Sequence, residues 1–319
     1  MFVSQDVNEA YAEMQARAVN FCEPEANLYV FKYPVLLHSP SPSRRVLFSS
    51  SLDANPFLQY MGALWMLSGS ANVDFLSRFS PQFRSLAGDG ITLRSANGHR
   101  MRLGFGRDQI DTAIHLLKED SKSLGVVVQI WSPNLDLERG SYSIPSNTEL
   151  LFRVVDNALT MTVIGRDNDL EHMLVYDYVN FGILLEYIAE SCGMMTGGMY
   201  QFSNRVQFHR AHTISPAPPS PWYYDNPMFM RHVFGPDTID LHELKDFVEE
   251  PDQLASWKSP ILEWNAGPMF RAWSAYQSDQ PDRFDLAIHM ATRIHDSDWK
   301  FACVNWLERR HILNPSARI

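Results

Sequence analysis

Hydrophobic positions along the chain fall into two periods, and each period predicts a kind of element. Phe57, Tyr60, Met61, Leu64 and Trp65 recur at helical spacing and make one broad apolar face. Asp53-Ala54-Asn55-Pro56 reads as the start of that helix, with proline early in its first turn, and Ser68-Gly69 reads as its end. A second short helix is predicted from Asn72 to Phe79. Asp108 to Lys118 is helical with Ile110, Ile114 and Leu117 inward, and Tyr178 to Glu190 is helical with Phe181, Leu184, Leu185 and Ile188 inward. The β-branched run Val126 to Trp131 predicts a strand buried on both faces. Leu150 to Val155, the turn Asp156-Asn157, and the alternating Leu159, Met161 and Val163 predict a hairpin. Nearer the start, Val7 to Val19 predicts a short helix, and Asn27 to Leu37 a strand pair broken by Pro34. Gly88-Asp89-Gly90 and Ser95-Ala96-Asn97-Gly98 read as turns.

Ser215-Pro216-Ala217-Pro218-Pro219-Ser220-Pro221 is the clearest linker in the chain. It divides the sequence into residues 1–214 and a C-terminal part, 215–319. The second part carries six of the eight tryptophans, which predicts a packed helical extension and not a loose tail. Within it Leu241 to Val248 and Asp298 to Leu307 are helical by period, and Trp299, Ala302, Cys303 and Trp306 share a face. The expected fold class is α/β.

Composition narrows the function. A chain of 319 residues that is 45% hydrophobic can bury a sizeable core, and its formal net charge of -10 argues against an extended nucleic-acid partner. Three widely spaced cysteines, Cys22, Cys192 and Cys303, read as reduced thiols of a cytoplasmic protein. No signal-peptide core is visible, and no apolar run approaches the roughly 18 residues that would span a bilayer. Among local candidates, the stiff loop Ser39 to Ser43 leads into Arg44-Arg45, which reads either as a phosphate-reaching loop or as a solvated turn. His209 and His212 have no cysteine or carboxylate cluster close by, so no metal site is expected. Ser146 lacks the Gly-x-Ser-x-Gly surroundings of a hydrolase nucleophile. Gly104-Phe105-Gly106 is only a fragment of a dinucleotide-binding signature.

Ile144-Pro145-Ser146-Asn147 runs into the apolar strand Thr148 to Phe152. This stretch resembles the surroundings of the catalytic cysteine in thymidylate synthase and its relatives, the dUMP and dCMP hydroxymethylases. Other segments follow in the same order. Asn55 to Gly69 looks like the family's first helix, Gly88 to Gly90, Asp108-Gln109 and Val128 to Trp131 match its middle, and Arg166-Asp167-Asn168-Asp169 resembles its Arg-Ser-x-Asp nucleotide motif. Asp298-Trp299 through Arg309-Arg310 resembles the last helix of the longer phage and viral members. The resemblance covers residues 45–212 and the tail. It implies a large mixed sheet with flanking helices, a dimer packed sheet to sheet, a pyrimidine nucleotide ligand and methylenetetrahydrofolate as the one-carbon donor.

It also implies site residues. Arg166 matches the phosphate arginine, Asp169 the aspartate near the folate, and Asp177 the position that reads the base. Cytosine enzymes carry aspartate there, which favours dCMP, although a helix-start aspartate is the alternative reading. Asn147, Gln207 and Arg45 complete the expected nucleotide-binding set. The departures concentrate on chemistry. Ser146 stands where the family has its thiolate, Gly62 where its first helix has a proton-relaying glutamate, and Leu124-Gly125 where a partner subunit offers two arginines. Asn97 replaces a tyrosine, and Gln207-Phe208-His209 replaces the late His-x-Tyr pair. Two readings follow. One is a diverged member without the thiolate mechanism, a pseudoenzyme that partners an active relative or itself. The other is a working dCMP hydroxymethylase-like transferase.

Overall fold

The structure, a computed structural model, describes residues 1–48, 52–123, 125–137, 143–209, 233–253 and 257–313. The predicted linker at Ser215 to Pro221, Leu124, and the two histidine-flanked residues Arg210 and Ala211 lie outside them, as does His212.

Among the described residues, ten strands form two sheets. The large sheet is mixed and has the order β1 (Phe2–Val3), β4 (Val35–Ser39), β9 (Met195–Ser203), β7 (Ala158–Gly165), β6 (Asn147–Val155), β5 (Val127–Gln129). Pairs β1–β4 and β9–β7 are parallel and the others antiparallel. The small sheet runs β2 (Cys22–Glu25), β3 (Leu28–Phe31), β10 (Val206–His209), β8 (Asn168–Asp169). The α/β class and the mixed sheet are therefore as expected. The predicted hairpin is β6–β7, and its turn residues Asp156 and Asn157 both take positive φ, 50° and 60°, as a tight two-residue hairpin turn requires.

Two strand expectations change. Leu28–Phe31 and Val35–Ser39 do not pair with each other. Pro34 lies between them, and they enter different sheets. Val127–Gln129 is the last strand of the large sheet and is buried on one face only: Val128 is fully covered while Val127 stays 41% exposed. The run looked two-sided because Val126, Val128 and Ile130, all on the inner side, are interleaved with apolar Val127. The long strand Met195–Ser203 gave no sequence signal because Gly197 and Gly198 interrupt it. Those glycines permit close packing. A Cβ on Gly197 would lie 2.8 Å from the Leu159 carbonyl oxygen of the neighbouring strand.

The helices long enough to pack independently are α1 (Val7–Phe21), α2 (Pro56–Ser68), α3 (Gln109–Glu119), α4 (Tyr178–Ser191), α5 (Leu241–Glu249), α6 (Gly267–Gln277), α7 (Arg283–Ala291) and α8 (Ser297–Leu313). Helix α2 begins where predicted. Asn55 Oδ1 accepts from the amides of Phe57 at 3.0 Å and Leu58 at 3.3 Å, and Pro56 occupies the first turn. Gly69 ends it in the left-handed conformation, φ 80°. Every residue of α2 except Gly62 is buried, so the helix is covered all round. α4 packs against it from the sheet side, and α5, α6 and α8 from the other.

The predicted extension is thus a packed one, and its core is continuous with that of the sheet side. Trp306 meets Phe57 edge-on at 5.7 Å and Trp273 at 5.8 Å, and Trp299 meets Tyr60 edge-on at 5.1 Å. The face Trp299, Ala302, Cys303 and Trp306 is buried as its spacing predicts. Arg310 lies over the Trp306 ring and forks onto Asp53, just before α2. Truncating Trp306 to alanine removes a ring held by both halves and should cost about 3–5 kcal/mol. Urea denaturation of the variant checks this, and a loss below about 1 kcal/mol would show that the extension contributes little to the core.

Candidate functional site

The residues around Ser146 form one wall of a cleft of about 310 Å³. The opposite wall is α2, which presents Leu58, Gly62, Trp65 and Met66, continued by Leu76, Phe83 and Leu86. The rim is the segment Leu93 to Asn97 together with Ser143 and Ile144. The floor is Asn147, His172, Tyr176, Asp177 and Asn180. One half of the cleft is therefore apolar and the other polar, which is the usual character of a small-molecule site.

Local structure places each side chain. The predicted turn at Ser95 to Gly98 is instead the approach to a helical segment: Asn97–His99 continues into a π-helical turn at Arg100–Gly104. Gly98 lies so close to α2 that a Cβ would come within 1.9 Å of the Met66 carbonyl oxygen. That contact presses the rim onto α2. Arg100, 3% exposed, locks it. It forks onto Asp136 at 2.5 and 2.9 Å and donates to the carbonyls of Arg94 and Ile130. Burial alone would raise the Asp136 carboxyl. The bonds from Arg100 and from the Ser132 amide outweigh it and hold the group below its ordinary value.

A second π-helical turn, Met173–Asp177, sits just before α4. Its wider step turns Asp177 onto the floor beside Asn180, in keeping with the frequent use of such turns at functional sites. Asp177 is 4% exposed, and its Oδ2 accepts from Asn147 Nδ2 at 2.8 Å. Oδ1 makes no hydrogen bond to the described residues. Burial pushes the carboxyl above the usual carboxylate range, against the opposing pull of His172 and of the Asn147 bond. The Oδ1 atoms of Asn147 and Asn180 are buried without a partner among the described residues. Such groups in a cleft wall are costly unless something else satisfies them.

Of the residues named from sequence, the cleft gathers Ser146, Asn147 and Asp177. Arg166 is exposed and stands behind the Ser146 segment. Its backbone amide donates to the Ser146 carbonyl at 2.9 Å and its Nε to the Pro145 carbonyl at 3.1 Å. Asp169 caps the short turn Leu170–His172 by accepting from the amides of Glu171 and His172. Gln207 is its registered neighbour across the small sheet and accepts from Arg205 at 2.5 Å. Neither Asp169 nor Gln207 lines the cleft. Arg45 is 2% exposed in the interior, where it pairs with Glu186 at 2.7 Å and lies over Phe234. Gly125 is described, whereas its neighbour Leu124 is not.

Sequence reading missed His172, Tyr176 and Asn180. The last was legible as the i+3 neighbour of Asp177 on a helix. His172 was not, because the π-turn alters the spacing. None of the three cysteines lines the cleft. Burial raises each thiol, that of Cys22 to about 11, which disfavours thiolate. Ser146 Oγ has no hydrogen-bonded base among the described residues. No group of three or more potential metal ligands occurs among the described residues either, and no described helix is long and apolar enough to cross a membrane.

Comparison with known proteins decides the family. A family model described as thymidylate synthase matches residues 61–215. The deoxyuridylate hydroxymethyltransferase of Pseudomonas phage M6 is 32% identical over 97% of this chain and 92% of its own length. The chain belongs to the thymidylate synthase and hydroxymethylase superfamily. More distant relatives cover less of it. The deoxyuridylate hydroxymethyltransferase of Bacillus phage SP01 is 26% identical over 55% of this chain and 49% of its own, and the thymidylate synthase of Buchnera aphidicola is 26% identical over 47% and 58%. The phage M6 likeness extends through the helical extension, which the family model does not reach.

The Arg100–Asp136 lock yields a pH prediction. Because the folded Asp136 carboxyl is depressed, its contribution is fully present above the unfolded value near 3.9 and is lost as pH falls through the lower folded value. Asp136→Asn should therefore destabilise the protein at neutral pH, with the difference from the parent shrinking below about pH 4. Denaturant midpoints measured across that range check it; a pH-independent difference would remove Asp136 ionisation as the cause.

Proposed function

We propose that the chain is a transferase that adds a hydroxymethyl group to C5 of a pyrimidine deoxynucleotide monophosphate. Membership of the superfamily puts it in pyrimidine nucleotide metabolism. The observation that carries the finer reading is the end-to-end likeness to the phage M6 hydroxymethyltransferase. The half-polar cleft supports it: Asn147, Asp177 and Asn180 offer hydrogen bonds to the edge of a base, and the apolar wall from Leu58 to Phe83 suits a flat ring stacked beside it. That wall fits the ring system of methylenetetrahydrofolate, which when bound supplies the one-carbon unit. The reaction balances without redox change, because C5 loses its hydrogen as a proton and one water furnishes the hydroxyl. Arg166 fixes the Ser146 segment by its bonds to Pro145 and Ser146 and, exposed at that edge, offers a planar cationic fork to a phosphate. The setting is the cytoplasm of a phage-infected cell.

One observation favours a second reading, a nucleotide-binding member without turnover. A serine hydroxyl with no adjacent base is a far weaker nucleophile than a thiolate, and Gly62 supplies no proton relay. The two readings separate in one assay. With methylenetetrahydrofolate and dUMP or dCMP, mass spectrometry should find the 5-hydroxymethyl nucleotide. If nucleotide binds but no product forms, the second reading replaces the first. Space at Gly62 is open, since an added Cβ would meet nothing within 4 Å. The variant Gly62→Glu with Ser146→Cys should then gain a covalent adduct with 5-fluoro-dUMP.

The dimer implied by the resemblance has a surface to match. Two cross-strand rows, Val127–Leu151–Thr162–Tyr200–His38 and Gln129–Glu149–Ile164–Phe202–Leu36, share one face of the large sheet. None of these side chains is buried, and His38 stacks on Tyr200 at 4.2 Å. An open apolar face of this kind calls for a partner. Light scattering should give twice the 36.6 kDa chain mass, and Tyr200→Glu should shift it towards the monomer. A monomer in the parent would remove the sheet-to-sheet dimer.

A further inference from the structure

The reaction proposed above consumes a water molecule, and that water needs a base. Once the one-carbon unit is on C5 and the C5 proton is gone, the nucleotide carries a CH2 group doubly bonded to C5 and the Ser146 oxygen on C6. The water oxygen then bonds to the CH2 carbon. The electron pair of that double bond forms the C5–C6 double bond, and the Ser146 oxygen leaves C6 with its own bonding pair. One water proton goes to a base, and the departing oxygen takes up a proton. Nothing is oxidised or reduced. The CH2 group reacts with any nucleophile in reach, so a base placed beside the water decides the product.

Among the described residues, three titratable side chains line the cleft: His172, Tyr176 and Asp177. Asp177 is 4% exposed on the floor, and its Oδ2 is taken by Asn147. Burial pushes the Tyr176 phenol up to about 12, so it keeps its proton at neutral pH. From α2 and the segment Leu93 to Asn97, no charged side chain lines the cleft. That leaves His172, and histidine is the side chain that ordinarily exchanges a proton near neutrality. Its side chain is exposed, on the side from which water enters, and its ring nitrogens make no hydrogen bond to the described residues. It is also held in place. Its amide donates to Asp169 Oδ1 at 3.1 Å, its ring packs on Tyr176 at 5.1 Å, and the second π-helical turn follows it directly. Since Ser146 Oγ has no hydrogen-bonded base, the imidazole is free for the water. Resting on the hydroxymethyltransferase reading above, we propose that His172 is the catalytic base that takes the proton from the water attacking the CH2 group on C5.

The test compares the parent, His172→Gln and His172→Gly with dUMP and methylenetetrahydrofolate, in the presence of 2-mercaptoethanol as a competing nucleophile. Mass spectrometry reads the ratio of 5-hydroxymethyl nucleotide to the thioether formed when the thiol captures the CH2 group. Calorimetry without the folate reads dUMP affinity. In His172→Gln formation of the hydroxymethyl product should fall by about a hundredfold, its ratio to thioether should fall with it, and dUMP affinity should be kept. Added imidazole should restore the hydroxymethyl product in His172→Gly. An unchanged ratio in His172→Gln, beside a parent that forms the product, would overturn the inference alone. So would a loss accompanied by an equal loss of dUMP affinity, or one that imidazole leaves unrepaired, since either assigns His172 to binding or structure. A parent that binds nucleotide and forms neither product would overturn the transferase reading, and the inference with it.

Discussion

The burial of α2 on every side is the constraint from which the rest of the architecture follows. A helix with apolar residues around its whole circumference cannot sit at the edge of a two-layer α/β protein, because half of it would face water. Here α4 and the sheet cover one side, and α5, α6 and α8 cover the other. The helices after residue 233 are thus as much a requirement of Phe57 and Tyr60 as an addition to the fold. The same constraint makes the cleft. Gly62 is the one place on α2 without a covering side chain, and the rim is pressed against the helix at Gly98, where only a hydrogen fits.

Helices were well legible in the sequence, because their caps and periods are local. Asn55-Pro56 and Gly69 bounded α2, and the Trp299 to Trp306 face was readable before any packing was known. Strands were less so. The pairing of Val35–Ser39 with a strand about 160 residues later depends on distant partners, and Gly197-Gly198 masks β9 with residues chosen for close approach. Helices α6 and α7 went unread: α6 opens with Gly267-Pro268, a pair that reads as a break, although proline is well tolerated in a first turn.

The site was legible in part for the same reason. Ser146, Asn147 and Asp177 were named from the order of motifs, and they converge because the hairpin β6–β7 and the start of α4 are fixed by strong local signals. Arg45 shows the limit. A double arginine after a proline-rich loop has the same appearance whether it reaches a ligand or an interior carboxylate. Only Glu186, which is 141 residues away, distinguishes the two. A buried arginine that lost this partner would face a desolvation penalty of several kcal/mol, so the pairing is a structural necessity once Arg45 is inside.

The two departures in the cleft have a common physical consequence. A thiolate at residue 146 and a glutamate at residue 62 would each place a negative charge close to Asp177, and each would favour a neutral carboxyl there. With serine and glycine in those positions, that repulsion is absent. The ionisation of Asp177 is then set by burial, by the Asn147 amide and by His172. The absence of charge at residues 62 and 146 is therefore coupled to the ionisation of Asp177 on the floor of the cleft. A change of Ser146→Cys together with Gly62→Glu would also push the Asp177 carboxyl further towards its neutral form.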